Sequence, residues 1–257
     1  MKVLILAISY NSNEALNNFL DSIEIAMENN SDVDLKVIVG DHSENNCFCL
    51  SKRYNTFECN IIGQENVGYF GGIAKLLEKE EASNYDYVII SNVDVELAED
   101  FFFRLNNKKY NCKIAWIAPL IWSISEKRNR NPFLVDRYSF CKILLLCIMY
   151  KVCFLHKLYT MTLYKTKRYA GHGSFIILTK AFFQNYSNIA YPMFLYGEEI
   201  YLAELIREKF LLVYYDKDIG VKTIDHVSTG KMKSKFYYEC NYKSLVYLID
   251  KFYRKGL

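Results

Sequence analysis

Residues 85–97 read YDYVIISNVDVEL, and this stretch decides the fold. Residues 87–90 are a short run of mostly β-branched apolar side chains, which is typical of a strand buried on both faces. The run ends in polar residues that include Asn92 and Asp94. In an open α/β sheet, ligands bind in the crevice beyond the carboxyl ends of the strands. We therefore predict that this strand delivers the Asp94 carboxylate to a site, with Asn92 on the same face two residues earlier.

The N-terminal part of the chain repeats this pattern. Three more apolar runs are interpreted as strands that end in polar residues: 3–8, 35–39 and 60–62. Helix spacing puts four apolar residues on one face after the first strand: Leu16, Phe19, Leu20 and Ile23. A second helix is expected up to about Ala82. Strands that alternate with helices over short turns predict an α/β fold with a central sheet.

The C-terminal part adds further elements to the sheet. Strands are expected at 114–118, where Pro119 ends the run, and at 171–178, 211–215 and 219–224. Helices are expected at 98–107, 140–159, 198–209 and 234–253. The sequence shows no internal repeat and no linker, so we predict a single domain over 1–257.

Composition limits the class of protein. Of the 257 residues, 51% are hydrophobic and 24% are charged, as in globular rather than disordered proteins. The eight cysteines form no CxxC pair and have no histidine at zinc-ligand spacing, so we expect reduced thiols in a cytoplasmic protein. The apolar run after Met1 is too short for a signal peptide and fits a first strand better.

The charge is unevenly distributed. Residues 137–197 contain no Asp or Glu and eight Lys or Arg, so this block carries +8 while the rest carries −5. Its longest apolar run, 143–150, is far shorter than a membrane span. Two interpretations stay open. The block is a helical insert packed on the sheet, or it is a basic, apolar helix that lies in a membrane interface.

Carboxylates at strand ends are the first candidates for chemistry. Asp41 and Asp94 both follow buried strands. Two such residues in one crevice would hold a metal ion or the ribose and base of a nucleotide. The alternative is that each caps a local turn, which is common for Asp. From the residues alone, the turn is favoured for Asp41 and both alternatives stay open for Asp94.

The segment 66–72, NVGYFGG, is a second candidate. Glycines at a strand-to-helix junction let the backbone approach a ligand, and a helix N-terminus favours phosphate. The spacing of Gly68, Gly71 and Gly72 is neither GxGxxG nor that of a Walker loop. An ordinary glycine turn is therefore the favoured interpretation of this segment by itself.

Two acidic residues and a histidine complete the candidates. Glu198 and Glu199 begin a predicted helix, where the dipole favours acidic side chains, and either could act as a general base. The aromatic residues at 191–196 could form a wall for a flat ligand. His226 follows the last strand and is either structural or a second metal ligand beside Asp94.

The order of these motifs resembles that of family-2 glycosyltransferases of the GT-A fold, particularly the bacterial rhamnosyltransferase-like and galactofuranosyltransferase-like members. Ser9-Tyr10-Asn11 is similar to the family's first nucleotide-contacting loop. Asp41-His42-Ser43 resembles its Asp-Asn-x-Ser turn, whose Asp holds the nucleoside base. The segment 66–72 resembles its Asn-x-Gly-x-x-x-Gly segment. Asn92-Val93-Asp94 is similar to the Asn-Pro-Asp form of its DxD motif, whose final Asp binds the metal.

The resemblance extends to about residue 230. The segment 194–207, FLYGEEIYLAELIR, resembles the stretch F-x-Y-x-E-D-x-D-L-x-x-R that carries the catalytic base. Ile224-Asp225-His226 with Gly230 resembles the terminal I-x-H-x-x-G, whose His can join the metal. Glu199 stands where the family has Asp, and Tyr201 replaces a second Asp. By alignment Glu199 is the preferred base, with Glu198 as the alternative.

The resemblance implies a mostly parallel sheet flanked by helices, with a nucleotide-sugar-binding half at 1–120, a basic apolar insert at 121–170 and an acceptor and catalytic-base half at 171–257. It implies donor-binding residues, which are Ser9, Tyr10, Asn11, Asp41, Asn66, Gly68, Asn92 and Asp94. Mn²⁺ or Mg²⁺ would be held by Asp94 and His226.

The implied activity is inverting transfer of a sugar from a UDP- or dTDP-linked donor to a hydroxyl of a glycan, in bacterial O-antigen or capsule synthesis. A lipid-linked acceptor would suit a peripheral membrane contact through 137–168 on the inner face of the cytoplasmic membrane. No nucleic-acid partner is implied. Two other classes stay open: a nucleotidyltransferase, which would be expected to begin with a glycine-rich loop, and a non-catalytic module that binds nucleotide or glycan.

Overall fold

The computed structural model of the chain describes residues 1–28, 30, 32–44, 50–152, 169–224 and 235–254. The predicted metal ligand His226 lies outside the described residues, as do residues 153–168 of the basic block. The strands are β1 Lys2–Ser9, β2 Asp34–Asp41, β3 Glu58–Gly63, β4 Tyr87–Asn92, β5 Val95–Leu97, β6 Ile114–Ser123, β7 Arg128–Asn129, β8 Phe175–Thr179 and β9 Leu212–Thr223. The helices are α1 Asn13–Met27, α2 Tyr69–Leu77, α3 Phe101–Asn106, α4 Phe140–Lys151, α5 Lys180–Phe183, α6 Glu198–Glu208 and α7 Lys235–Leu248.

The described strands form one mixed sheet. Its order is β3-β2-β1-β4-β8-β6-β9-β5, and β7 pairs with β6. The neighbours from β3 to β4 run parallel, as do β6 and β9. β8 runs antiparallel to both β4 and β6, and β5 runs antiparallel to β9. This mixed α/β architecture confirms the predicted fold class, although the antiparallel strands were not foreseen.

The register of the parallel strands places the predicted polar residues together. Ser9 at the end of β1 pairs with Asp41 at the end of β2, and Ile8 pairs with Asn92 at the end of β4. Asp41 also pairs with Gly63 at the end of β3. Because parallel strands end at the same edge, the loops after β1, β2, β3 and β4 share one side of the sheet.

Helices cover both faces of the sheet. On one face α1 and α3 bury Phe19, Leu20 and Phe101, and the Phe101 ring meets that of Phe175 edge-on, with centroids 5.6 Å apart. On the other face α2, α4, α6 and α7 share the second core. The central strands β1 and β4 are buried over most of their length, which explains why they read as continuous apolar runs.

A buried ion network fixes the start of the basic block against α6. Glu204 is fully buried, and its carboxylate accepts hydrogen bonds from Arg137 Nε at 2.6 Å and Arg207 Nε at 2.8 Å. The hydroxyl of Tyr169 donates to the same carboxylate. Arg137 also lies over the Tyr253 ring, 4.0 Å from its centroid. Arg137 and Arg207 are partly exposed, whereas Glu204 is not, so removal of the arginines would leave a buried carboxylate without its compensating charges.

Several predicted boundaries are wrong. Strand β6 does not end at Pro119 but continues to Ser123, because a shift of register against β9 between Pro119 and Leu120 accommodates the proline. The two strands predicted at 211–215 and 219–224 are one strand that spans this irregularity. Helix α2 stops at Leu77, short of the predicted Ala82. Helix α4 ends at Lys151, and the predicted continuation to 159 falls on residues outside the described part.

Candidate functional site

A buried carboxylate lies where the loops after β1 and β2 meet. Asp41 is 1% exposed, and its Oδ1 accepts hydrogen bonds from the Ser43 N–H at 3.1 Å and the Ser43 hydroxyl at 2.6 Å. The Asn11 N–H donates to that same hydroxyl oxygen at 2.8 Å, which ties the two loops together. The second oxygen, Oδ2, is buried and has no hydrogen-bond partner among the described residues. Asp41 is therefore held rigidly by one oxygen and offers the other as an acceptor.

His42 lies beside this carboxylate as a buried, neutral side chain. The backbone N–H of His42 donates to the Ser9 carbonyl at 2.9 Å, and burial lowers the pKa of the imidazole. A Cβ at Gly72 would lie 2.7 Å from His42 Nε2. Glycine at this position of α2 therefore lets the helix approach the imidazole, a packing role in addition to any contact with a ligand.

The glycine segment joins the nucleotide-side loops to the segment before α6. Gly68 has a φ of 86°, and a Cβ there would overlap the Phe194 carbonyl oxygen. The next N–H, that of Tyr69, donates to this carbonyl at 3.2 Å. The side chain of Asn66 is exposed, and its Oδ1 accepts from the Gly68 N–H at 3.2 Å. The predicted donor loop is thus packed directly against the chain that carries the glutamates.

Asp94 lies in the turn between β4 and β5, and is half-buried. Just before it, the Asn92 N–H donates to the Ser174 carbonyl at 2.9 Å. The Asp94 carbonyl accepts from the Ile224 N–H at 3.3 Å, immediately after β9. The backbone of Asp94 is therefore fixed between the entrance to β8 and the exit from β9.

The two glutamates at the start of α6 face different partners. Gly197 precedes them with a φ of 84°, which turns the chain into the helix. Glu198 is 7% exposed, and its Oε1 accepts from the Tyr196 N–H at 3.0 Å. Glu199 is half-buried, and its Oε1 accepts from the Gly173 N–H at 3.2 Å. Burial raises the pKa of both carboxyls, and the charge of Glu199 raises that of Glu198 further.

Tyr69 shows that the predicted carboxylates converge. Its hydroxyl donates to the Gly173 carbonyl at 3.0 Å. Burial raises the pKa of this hydroxyl, and the charges of Glu198, Asp94 and Glu199 raise it in that order. The charges of Asp94 and of the neighbouring pair Glu198 and Glu199, which are distant from Asp94 in sequence, therefore all act on Tyr69. Neither Tyr69 nor Gly173 was among the predicted site residues, since no local pattern marks them.

The remaining predicted donor residues lie at the rim or in the sheet. Ser9 is 2% exposed, and its carbonyl holds the His42 N–H. Tyr10 is 37% exposed, and Asn11, with a φ of 48°, is exposed beside it. These two side chains and Asn66 therefore remain accessible, whereas Ser9 can offer a ligand little besides its backbone.

The described residues hold no group of three or more His, Cys, Asp and Glu side chains that is arranged for a metal ion. A self-sufficient metal cage is therefore not built from this part of the chain. Mg²⁺ in nucleotide sites is usually bound through one or two carboxylates, with waters and substrate phosphates as its other ligands. The half-buried Asp94 carboxylate at the strand end fits that role, in which a diphosphate completes the coordination.

No family model matches the sequence, and no curated protein matches it. The fold, in contrast, is similar to several solved glycosyltransferases. The mannosyltransferase PcManGT from Pyrobaculum calidifontis, solved with GDP-Man and Mn²⁺, has a TM-score of 0.54 and 10% identity over 88% of this chain. Residues 1-349 of S. aureus TarS with UDP-GlcNAc have a TM-score of 0.52 and 11% identity over 100%. GalNAc-T7 with UDP, GalNAc and Mn²⁺ has a TM-score of 0.62 and 12% identity over 97%.

The matches cover different shares of these structures. The chain spans 58% of the mannosyltransferase, 75% of the TarS structure and 48% of GalNAc-T7. At such low identities the likeness concerns the fold alone. It confirms that the chain has the fold of nucleotide-sugar glycosyltransferases, as the motif order implied.

Proposed function

We propose that the chain is a glycosyltransferase that moves a sugar from a nucleotide-diphosphate donor to a hydroxyl of a glycan acceptor. One observation carries this proposal: residues 173 and 174, at the entrance to β8, hold the glutamate start of α6 beside the end of β4. The Gly173 N–H donates to Glu199 Oε1 at 3.2 Å, and the Ser174 carbonyl accepts from the Asn92 N–H at 2.9 Å, two residues before Asp94. The solved proteins of similar fold are complexes with nucleotides or nucleotide sugars, which supports a donor of the same class here.

The donor nucleoside binds at Asp41. The Oδ2 atom of Asp41 is buried and has no hydrogen-bond partner among the described residues, so it can accept from an N–H of the base, while Ser43 holds the other oxygen in place. Uracil and thymine each carry such an N–H, which is compatible with the UDP- and dTDP-linked donors that the motif order implies. Tyr10 and Asn11 line the exposed rim, and Asn66 with Gly68 contacts the donor from the next loop. The loop with Ser9 contributes backbone groups.

A divalent cation, Mn²⁺ or Mg²⁺, would be held by Asp94, with His226 as a second ligand. When bound, the ion supplies Lewis-acid stabilisation of the charge on the departing diphosphate, an effect worth several kcal/mol. Asn92 lacks a carboxylate, so its side chain brings no negative charge to this region. Asp94 would therefore supply the negative charge that holds the cation beside the diphosphate, at the end of β4.

Glu199 is the proposed base. Its carboxylate removes the proton from the acceptor hydroxyl as that oxygen attacks the anomeric carbon from the face opposite the leaving group, so the configuration inverts. Positioned base catalysis of this kind is typically worth roughly 10²–10⁴-fold in rate. Glu199 is preferred over Glu198 because it is the more exposed and is anchored to the entrance of β8, beside Asn92. Glu198 is turned back onto the Tyr196 backbone.

The motif order also supports a finer assignment, to the rhamnosyltransferase-like and galactofuranosyltransferase-like group of family 2. The proposed setting is the synthesis of a bacterial surface polysaccharide such as O-antigen or capsule. In that setting the acceptor is a growing glycan, carried on a lipid at the inner face of the cytoplasmic membrane.

A thermal-shift screen of nucleoside diphosphates with Mn²⁺, followed by the matching nucleotide sugars, tests the proposal. We expect UDP or dTDP to raise the Tm, and the cognate sugar to be released slowly by water when acceptor is absent. Release of pyrophosphate from a nucleoside triphosphate and sugar phosphate would instead indicate a nucleotidyltransferase. Binding with no turnover of donor, with or without glycan acceptors, would indicate a non-catalytic module.

A further inference from the structure

Helix α4 carries an apolar stripe on its outer face. Four large aliphatic side chains are exposed by 42–48%, and these are Leu144, Leu145, Ile148 and Val152, the last at the helix end. Their spacing places them on one side of the helix. The opposite side is buried in the core through Ile143, Leu146 and Cys147, among others. The helix is therefore apolar on both faces, although only one of them packs against the protein.

Over its described residues, α4 is too short to cross a bilayer. In the part of the chain that the structure describes, no helix is both long and apolar enough to cross a bilayer. With 12 residues, α4 is about 18 Å long. Contiguous exposed apolar surface on such a helix typically marks a site of interaction with a protein or a membrane.

Two lysines flank the apolar stripe, and their positive charge favours an anionic partner. Lys142 lies over the Tyr138 ring, 4.6 Å from its centroid, and Lys151 lies over the Tyr242 ring at 5.9 Å. No carboxylate among the described residues forms an ion pair with either lysine, and the sequence from 138 to 197 contains no acidic residue. Two copies of the chain meeting here would bring like charges together, so the surface favours an anionic partner over a second copy.

We propose that the α4 stripe, defined as Leu144, Leu145, Ile148 and Val152 with Lys142 and Lys151, lies in the interface of an anionic lipid bilayer. The aliphatic side chains enter the boundary between headgroups and acyl chains. The lysines extend their ammonium groups to the lipid phosphates. Both contributions are needed, because a short apolar helix alone gives only weak membrane association.

The α4 stripe is connected to the candidate site through α7. The Tyr150 ring packs against those of Tyr237 and Tyr238 at the start of α7. The neighbouring Phe236 is 52% exposed and meets the Phe194 ring edge-on, with centroids 5.9 Å apart. The Phe194 carbonyl in turn binds the Tyr69 N–H. A membrane bound at α4 would thus lie near the candidate site. The benefit of this location for a lipid-linked acceptor rests on the proposed function, whereas membrane binding itself does not.

Co-sedimentation of the full chain with vesicles, without nucleotide, tests the α4 stripe. Phosphatidylcholine vesicles with phosphatidylglycerol are compared with phosphatidylcholine alone, for wild type, L145E/I148E and K142Q/K151Q. The matched control is Phe103→Glu, which alters an exposed apolar residue on α3. Circular dichroism and Tm confirm that each variant is folded, and donor turnover without vesicles is measured for each, so that failure of the site and failure of the surface are separate results.

We expect wild type and Phe103→Glu to bind the anionic vesicles. L145E/I148E should bind at least about 30-fold more weakly, since two aliphatic side chains no longer enter the interface. K142Q/K151Q should lose about 30-fold, since each basic residue near an anionic surface contributes about 1 kcal/mol. The proposal is overturned if wild type does not bind anionic vesicles, or if L145E/I148E binds them with the same affinity as wild type. A concentration-dependent dimer that L145E/I148E dissociates, without vesicle binding, would assign the surface to a second copy instead.

Discussion

The backbone N–H of Gly173 donates a hydrogen bond to Oε1 of Glu199 at 3.2 Å. The carbonyl of the same glycine accepts the Tyr69 hydroxyl at 3.0 Å. A Cβ at Gly173 would lie 2.8 Å from Glu199 Oε1, so glycine also permits the close approach of this carboxylate. One residue at the entrance to β8 thereby sets the position of the proposed base.

Glu199→Gln is expected to lower kcat by roughly 10²–10⁴-fold, because the amide cannot take the proton from the hydroxyl of the glycan. The amide oxygen can still accept a hydrogen bond from the Gly173 N–H. The affinity for donor, measured by calorimetry, should change little. Glu208→Gln, at the far end of α6, is the matched control and should keep wild-type kcat. Near-wild-type kcat in Glu199→Gln, with a large loss in Glu198→Gln, would move the role of base to Glu198.

The activity should rise with pH. Burial raises the pKa of Glu199 above the ordinary value of 4.5, and a general base acts in its ionised form. The acidic limb of kcat/KM against pH is therefore expected to have its midpoint above 4.5. A midpoint at or below the ordinary glutamate value would show that the base is not a buried carboxyl of this pair.

Stability should change with pH in the opposite direction. A carboxyl whose pKa is higher in the folded than in the unfolded state remains protonated to a higher pH when the protein is folded. Its contribution to the free energy of unfolding is therefore present at low pH and is lost as the pH rises from the unfolded to the folded pKa. For Glu198 and Glu199 the window begins near 4.5 and extends to their raised values. Urea unfolding across this range should show a falling free energy, with a shallower fall in Glu199→Gln. A slope identical to that of wild type would contradict the assignment.

Tyr69→Phe removes the hydroxyl that holds the Gly173 carbonyl. We expect a loss of about 1 kcal/mol in the free energy of unfolding, typical of one hydrogen bond. We also expect a fall in kcat of about tenfold with KM for donor nearly unchanged, because the variant disturbs the base rather than the nucleotide pocket. Tyr87→Phe, on the sheet away from the site, serves as the control. An unchanged kcat with only the stability loss would make Tyr69 purely structural.

Asp41→Asn is expected to weaken nucleoside diphosphate binding by about tenfold, since an amide cannot offer two acceptors to both Ser43 and the base. Asp34→Asn, at the exposed start of the same strand, is the matched control. Calorimetry with UDP and dTDP measures both variants. Equal affinities in Asp41→Asn and wild type would remove Asp41 from the nucleoside site.

The elements that position the site follow from local sequence. Local sequence predicts that Ser9, Asp41 and Asp94 lie at or just beyond the ends of β1, β2 and β4, because each follows an apolar run. It also predicts Glu199 in the acidic first turn of α6. Strand register then brings the first three to one edge, as expected for parallel strands.

The features that local sequence did not predict depend on contacts between residues distant in sequence. Tyr69 and Gly173 meet across 104 positions, and neither carries a local pattern that predicts the contact. Pro119 was expected to end a strand, since proline lacks the N–H of a ladder bond, but the shift in register beside it accommodates the residue within β6. The pairing that accommodates it is with β9, almost one hundred residues later.

The most direct test of the central claim is the Mn²⁺-dependent turnover of the cognate nucleotide sugar by wild type and Asp94→Ala. Glu99→Ala, an exposed acidic residue five positions later in the chain, is the control. We predict that wild type and Glu99→Ala require Mn²⁺ or Mg²⁺ and that Asp94→Ala loses at least about a hundredfold in turnover. Wild-type turnover by Asp94→Ala, with the same dependence on the cation, would contradict the placement of the diphosphate at the end of β4.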